Sequence, residues 1–146
     1  MSTMILFIGI QASGKSSFYK KYLQEYTHVS MDVLHNRNKE RLAIEECIAA
    51  GKDFVVDNTN PTKEDRKRYF DMIKGTDYRV KGYFFRSVIR ESIERNALRT
   101  GKACVPECAI ASTSNKLELP DYEEGFEELY YVSIQDGAFV VDAWRE

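Results

Sequence analysis

Long apolar runs are missing from this sequence. The longest, around Met4-Ile5-Leu6-Phe7-Ile8, stops at Gly9, far short of the ~20 residues that a helix needs to cross a bilayer. It does not read as a secretory leader either, because no basic segment precedes it and a lysine-bearing motif follows at once. The chain is therefore expected in the cytoplasm, without membrane contact. Cysteine is scarce. Cys47, Cys104 and Cys108 are an odd number with no disulfide framework, which fits a reducing compartment and argues against a cysteine metal site. Histidine occurs twice. His28 reads as strand packing, and His35 stands close enough to an acidic residue to stay a candidate.

The chain does have an ordinary globular balance: 146 residues, 43% hydrophobic and 30% charged. That is enough for one core, so residues 1–146 are expected to form a single domain. The net charge of −2 is unevenly spread. Residues 62–102 hold twelve Lys and Arg against six Asp and Glu, whereas residues 107–128 hold seven acids against Lys116 alone. Strong whole-surface attraction to polyanions is not expected, and any anion site should be local.

Short β-branched and aromatic runs alternate with longer helical patterns, the signature of βαβ units and a parallel sheet. Strands are expected near Met4–Ile8, His28–Met31, Phe54–Asp57, Arg79–Phe85 and Leu129–Ser133. Helices are expected near Lys15–Glu25, Val33–Ala50, Thr62–Lys74, Val88–Arg99 and Pro106–Lys116. Thr62 with Asp65 suits an N-cap, and Gly51 and Gly75 suit helix ends. Asp136-Gly137 suits the turn of a terminal hairpin joining Tyr130–Ile134 to Ala138–Val141.

The most informative segment is Gly9-Ile10-Gln11-Ala12-Ser13-Gly14-Lys15-Ser16, a full P-loop pattern set between an apolar strand and a helix. Its backbone amides can converge on a polyphosphate at a helix N-terminus. Lys15 should reach the β- and γ-phosphates, and Ser16 should coordinate Mg²⁺, with Ser17 extending the motif. ATP and Mg²⁺ are the expected cofactors. A P-loop alone does not separate kinases from GTPases, but no Asn-Lys-x-Asp base-recognition run is present.

Two further acids end apolar runs. Phe54-Val55-Val56-Asp57 places Asp57 where a carboxylate can orient a Mg²⁺-bound water. Asp57-Asn58-Thr59-Asn60 before Pro61 reads either as a ligand-lining turn or as an Asx-type structure. Val29-Ser30-Met31-Asp32 brings Asp32 to the same sheet edge, where it could accept a proton from an attacking hydroxyl or simply cap the following helix. Arg95 and Arg99 lie four apart on one helical face ahead of Thr100-Gly101. They read either as arginines of a lid near 95–106 or as a solvated basic face.

Taken together, these residues resemble the polynucleotide 5′-hydroxyl kinase family, and in particular the kinase domain of polynucleotide kinase-phosphatase. The resemblance runs through Gly9 to Ser16, Asp32, Val55-Val56-Asp57-Asn58-Thr59-Asn60-Pro61, Arg95-Asn96 and Glu124-Gly125-Phe126. It implies an α/β P-loop kinase, a three-layer sandwich with a mainly parallel five-stranded sheet and a helical lid. It also implies ATP-dependent phosphorylation of a nucleic-acid 5′-hydroxyl, in the context of end repair. Carried onto this chain, the nucleotide site is Gly9, Gln11, Ala12, Ser13, Gly14, Lys15, Ser16, Ser17, Arg95 and Arg99. Lys15, Asp32 and Arg99 form the catalytic set, and Ser16 and Asp57 the metal set. Asp32, His35, Arg37, Asp57 and Asn58 face the acceptor. Where the phage member of the family has an arginine three residues after its acid, this chain has His35, with Arg37 two residues on. It has no Asp-x-Asp-x-Thr phosphatase motif. A kinase for a small metabolite or nucleoside, or a non-catalytic nucleotide-binding module, remains an alternative. A basic stripe of Lys63, Arg66, Lys67 and Arg68 leading toward Asp32 would favour a polynucleotide.

Overall fold

The computed structural model describes residues 2–99 and 105–145. Six strands form one sheet: β1 (Thr3–Ile8), β2 (Thr27–Val29), β3 (Phe54–Val56), β4 (Arg79–Phe85), β5 (Glu128–Gln135) and β6 (Ala138–Ala143). Their order is β2-β3-β1-β4-β5-β6, parallel up to β5, with β6 antiparallel at the edge. The helices are α1 (Lys15–Tyr22), α2 (Met31–Leu34), α3 (Arg37–Ala50), α4 (Lys63–Met72), α5 (Ile89–Asn96) and α6 (Glu107–Lys116).

The central strand shows why its sequence is a continuous apolar run. Met4, Leu6 and Ile8 point into a core shared with Ile44 and Cys47 of α3 and Tyr69 of α4. Ile5 and Phe7 point the other way, onto Phe18 of α1 and Leu23 just beyond it. A strand covered on both faces needs hydrophobic residues at both parities, and a three-layer sandwich follows. From β1 the chain runs to β2 at the sheet edge and back to β3 beside β1, then crosses to β4 on the other side of β1, so the strand order reverses at β1. A crevice opens beyond the carboxyl end of such a strand, and the phosphate loop lies there.

The sheet has six strands rather than the expected five. The terminal hairpin was legible, but its second strand extends the sheet instead of lying apart from it. Asp136 (φ 52°) and Gly137 (φ 76°) form the two-residue turn, and Gln135 pairs with Ala138. The single helix expected over Val33–Ala50 is two helices. His35 adopts a left-handed conformation (φ 59°) that ends α2, and the Asn36 side chain accepts the amides of Asn38 and Lys39 to cap α3. The expected caps at Thr62 and Gly51 are present. The lid expected near 95–106 falls partly on residues 100–104, which lie outside the described residues. Among the described residues, no helix is long and apolar enough to cross a membrane.

Candidate active site

The loop between β1 and α1 bends through left-handed geometry at Ala12 (φ 59°) and Gly14 (φ 103°), a path that turns backbone amides into one concavity. Glycine is required at its first position, because a Cβ on Gly9 would sit 2.9 Å from Ser13 Oγ and 3.0 Å from Phe85 Cβ. Neighbouring segments hold the loop in place. The Gly9 amide donates to the Thr59 carbonyl at 3.0 Å, and the Ile10 amide to Ser87 Oγ at 3.1 Å. Gln11 Nε2 donates to Thr113 Oγ1 of α6 at 2.9 Å, so α6 is fastened to the loop. Ser13 is buried, whereas Ser17 is exposed on α1.

Lys15, only 8% exposed, curls back so that Nζ donates to the carbonyls of Ile10 at 2.8 Å and Gly9 at 3.1 Å. Burial pulls its pKa down from 10.5 to about 8. The Asp57 carboxylate opposes that fall, Arg99 adds to it, and Asp32 opposes it again. One buried ammonium therefore senses three of the other residues singled out in the sequence.

Asp57, 4% exposed, accepts a hydrogen bond from Ser16 Oγ at 2.7 Å on Oδ2. His28 Nε2 lies 2.7 Å from the same oxygen. Sequence reading placed His28 in strand packing and missed this contact. The sheet supplied the signal: His28 is paired with Val55, and Asp57 lies two residues further on the same face of the adjacent strand.

Asp32 is exposed in the first turn of α2. It is not the cap of that helix, because Ser30 Oγ fills the role by accepting the Asp32 amide at 3.2 Å. Behind α2 lies a polar network that the sequence did not reveal. Asn58 Oδ1 accepts the Met31 amide at 2.9 Å, and its Nδ2 donates to Glu40 Oε2 at 2.8 Å. Glu40, 1% exposed, also receives Tyr69 Oη at 3.0 Å and Arg37 Nη1 at 2.9 Å. Burial, with the Glu40 carboxylate beside it, pushes the Tyr69 phenol up and keeps it a donor. Asn58 thus ties the end of β3 to α2, while the Arg37 side chain stays about half exposed. His35 is exposed at the end of α2.

Arg95 reaches from α5 to the phosphate loop, with Nη1 3.3 Å from the Ala12 carbonyl and Nη2 3.6 Å from Glu91. Asn96, 4% exposed, accepts the Val105 amide at 2.8 Å and donates to the Val105 carbonyl at 2.6 Å. This two-way bond ties the end of α5 to Val105, just ahead of α6. The basic stripe, in contrast, loses a member. Arg66 is fully buried and forms a bidentate pair with Glu124, Nε–Oε1 2.8 Å and Nη2–Oε2 3.2 Å. Its remaining donor braces the Asn60 carbonyl at 2.9 Å, and Asn60 Nδ2 bonds the Phe7 carbonyl at 2.8 Å. Arg66 and Glu124 are thus a strut under the turn that holds the phosphate loop. Lys63, Lys67 and Arg68 remain at the surface.

Two curated proteins match this chain. A bifunctional polynucleotide phosphatase/kinase of Schizosaccharomyces pombe is 28% identical over 98% of the chain and 37% of its own length. A putative bifunctional polynucleotide phosphatase/kinase of Acanthamoeba polyphaga mimivirus is 30% identical over 89% of the chain and 33% of its own length. The chain is similar to these two polynucleotide phosphatase/kinases. It spans about a third of the length of these curated relatives. Among solved structures, a gluconokinase from Sinorhizobium meliloti superposes with a TM-score of 0.63 at 20% identity, covering 90% of this chain and 82% of that one. The fold is that of the P-loop kinases. No family model matches the chain.

Proposed function

We propose that this chain transfers the γ-phosphoryl group of ATP to the 5′-hydroxyl of a polynucleotide end. In this reading residues 1–146 act as one kinase domain with a lid between α5 and α6. The observation that carries it is the Lys15 ammonium buried in the phosphate loop beside a Ser16–Asp57 pair 2.7 Å apart, with the charges of Asp57, Arg99 and Asp32 all acting on it. Anion-binding, cation-binding and proton-accepting groups then share one crevice, as in-line phosphoryl transfer requires.

The amides of Gly9 to Ser16 cradle the phosphates, and Lys15 exchanges its carbonyl partners for phosphate oxygens. Ser16 Oγ and the Asp57 carboxylate are hard oxygen donors 2.7 Å apart, a set that fits Mg²⁺. Bound there, Mg²⁺ would neutralise charge on the β- and γ-phosphate oxygens. Asp32 accepts the proton of the 5′-hydroxyl as its oxygen bonds to the γ-phosphorus and ADP departs. Arg95 and Arg99 meet the transferring phosphoryl from the lid, and His35, Arg37, Asp57 and Asn58 shape the acceptor side. The curated relatives support a polynucleotide acceptor. The test is a comparison of kcat/KM for a 5′-hydroxyl oligonucleotide, a dinucleotide, a nucleoside and a small polyol with the same ATP. The oligonucleotide should lead. Preference for the nucleoside or polyol would replace this reading with a small-molecule kinase.

Removing Arg99 should reduce transfer more than nucleotide binding. Charge spreads over the equatorial oxygens only as the phosphoryl moves, so a guanidinium there acts chiefly in the transition state. Arg99→Ala is expected to lower kcat by about 10²-fold, as for other donors aimed at developing charge, with ATP affinity changed by less than about threefold. Arg99→Lys should stay impaired, because a point charge does not replace a planar fork. The helix expected over Val88–Arg99 ends at Asn96, so Arg99 lies beyond α5 rather than on one helical face with Arg95, and near-normal kcat in Arg99→Ala would remove it from the site.

Lys15 gives a pH signature. With its folded pKa near 8, the ammonium is charged below that pH and deprotonates as pH rises through it. Phosphates favour the charged form, so nucleotide binding above pH 8 should take up a proton and weaken as pH rises. Calorimetry of ADP binding at pH 9, in buffers of different ionisation enthalpy, measures the uptake directly. In the unliganded protein the sign is opposite: the cost of burying the charge is present below pH 8 and relieved above it, so this group adds stability between pH 8 and 10.5.

A further inference from the structure

Resting on the reading above, the geometry points to His28 as a positioning residue for the divalent cation, acting through Asp57. Three elements meet at one buried oxygen. Ser16 lies in the first turn of α1, Asp57 follows β3 and His28 belongs to β2, and the first and last each lie 2.7 Å from Asp57 Oδ2. A carboxylate only accepts, so His28 Nε2 carries the hydrogen and donates it. The imidazole is itself held in plane. It stacks on Tyr19 with ring centroids 4.1 Å apart and planes 16° from parallel, and Tyr19 Oη donates to the Tyr26 carbonyl at 2.6 Å.

This arrangement decides how the Ser16–Asp57 pair faces a cation. Two donors on Oδ2 occupy that oxygen and stop the carboxylate from rotating, which leaves the second oxygen for a cation or its water. The Ser16 proton is directed at Asp57, so the hydroxyl lone pairs are free for a metal. Without His28, one restraint on a nearly fully buried carboxylate is gone, and the pair must be ordered when the cation binds. Partners that orient ligands in this way typically change metal affinity by about 10–100-fold.

The test uses Mn²⁺ as a spectroscopic probe, titrated by electron paramagnetic resonance into the chain saturated with ADP. His28→Ala should weaken Mn²⁺ binding by about tenfold, at the lower end of that range. ADP affinity in EDTA should stay within about twofold, because the phosphate loop and Lys15 are untouched. His28→Gln, which keeps a side-chain N–H donor, should recover most of the affinity. In transfer assays the Mg²⁺ concentration at half-maximal rate should rise in parallel, with kcat at saturating Mg²⁺ within about threefold. Unchanged Mn²⁺ affinity in His28→Ala overturns the proposal. So does an equal loss of ADP affinity in EDTA, which would mean general damage to the site. Should His28→Ala not fold, His28→Gln and Tyr19→Leu carry the test: Tyr19→Leu unstacks the imidazole and should weaken Mn²⁺ binding with EDTA-phase ADP affinity intact, and wild-type Mn²⁺ affinity there overturns the proposal. Failure of the unaltered chain to bind Mn²⁺ with ADP contradicts the kinase reading itself, which separates the two outcomes.

Discussion

Asp32→Asn is expected to lower kcat by about 10²-fold or more, the usual scale for a positioned general base, while ATP affinity stays within about twofold. The side chain keeps its size and loses only the ability to take a proton. The structure removes the competing explanation that the substitution would break a helix cap. Ser30 caps α2, Asn36 caps α3, and the Asp32 carboxylate is exposed. The thermal midpoint of Asp32→Asn should therefore match that of the unaltered chain, measured beside kcat on the same preparation. A lowered midpoint with normal turnover per folded molecule would assign Asp32 to stability instead.

Lys15→Met should abolish measurable transfer, lowering kcat/KM by about 10³-fold or more, and should also weaken ADP binding. One ammonium serves both the bound phosphates and the transition state, so ground-state and transition-state losses combine. Methionine preserves most of the buried stem, and the substitution also removes a charge whose burial pulls its pKa to about 8. The unliganded protein should consequently be no less stable than the original at pH 7, and ADP should no longer raise its melting temperature. Equilibrium ADP binding and thermal melts in one buffer distinguish this from a folding defect. Transfer within tenfold of normal would remove Lys15 from the chemistry.

Local order carried most of what the sequence disclosed. The path from β1 through Gly9–Ser16 into α1 is contiguous, and so are the acid at the end of β3 and the cap at Thr62. The break between α2 and α3 was locally encoded too, in the His35-Asn36 pair. It was hidden because the apolar pattern runs on through Val33, Leu34 and Leu42. What stayed illegible depends on partners distant in sequence. Arg66 looked like a surface cation until Glu124, 58 residues later, closed over it. Glu40 carries no signal of its own in the sequence, yet Asn58, Tyr69 and Arg37 converge on it. His28 meets Asp57 only because β2 lies beside β3, and strand order is not written in any local pattern.

The most direct measurement of the central claim is to incubate the chain with γ-labelled ATP, Mg²⁺ and a 5′-hydroxyl oligonucleotide, then digest the product to mononucleotides. The account predicts label in the 5′-mononucleotide of the terminal base, one ADP formed per end labelled, and no label when the end already carries a phosphate. ATP consumed at the same rate with or without the oligonucleotide, with all label released as inorganic phosphate, would contradict it.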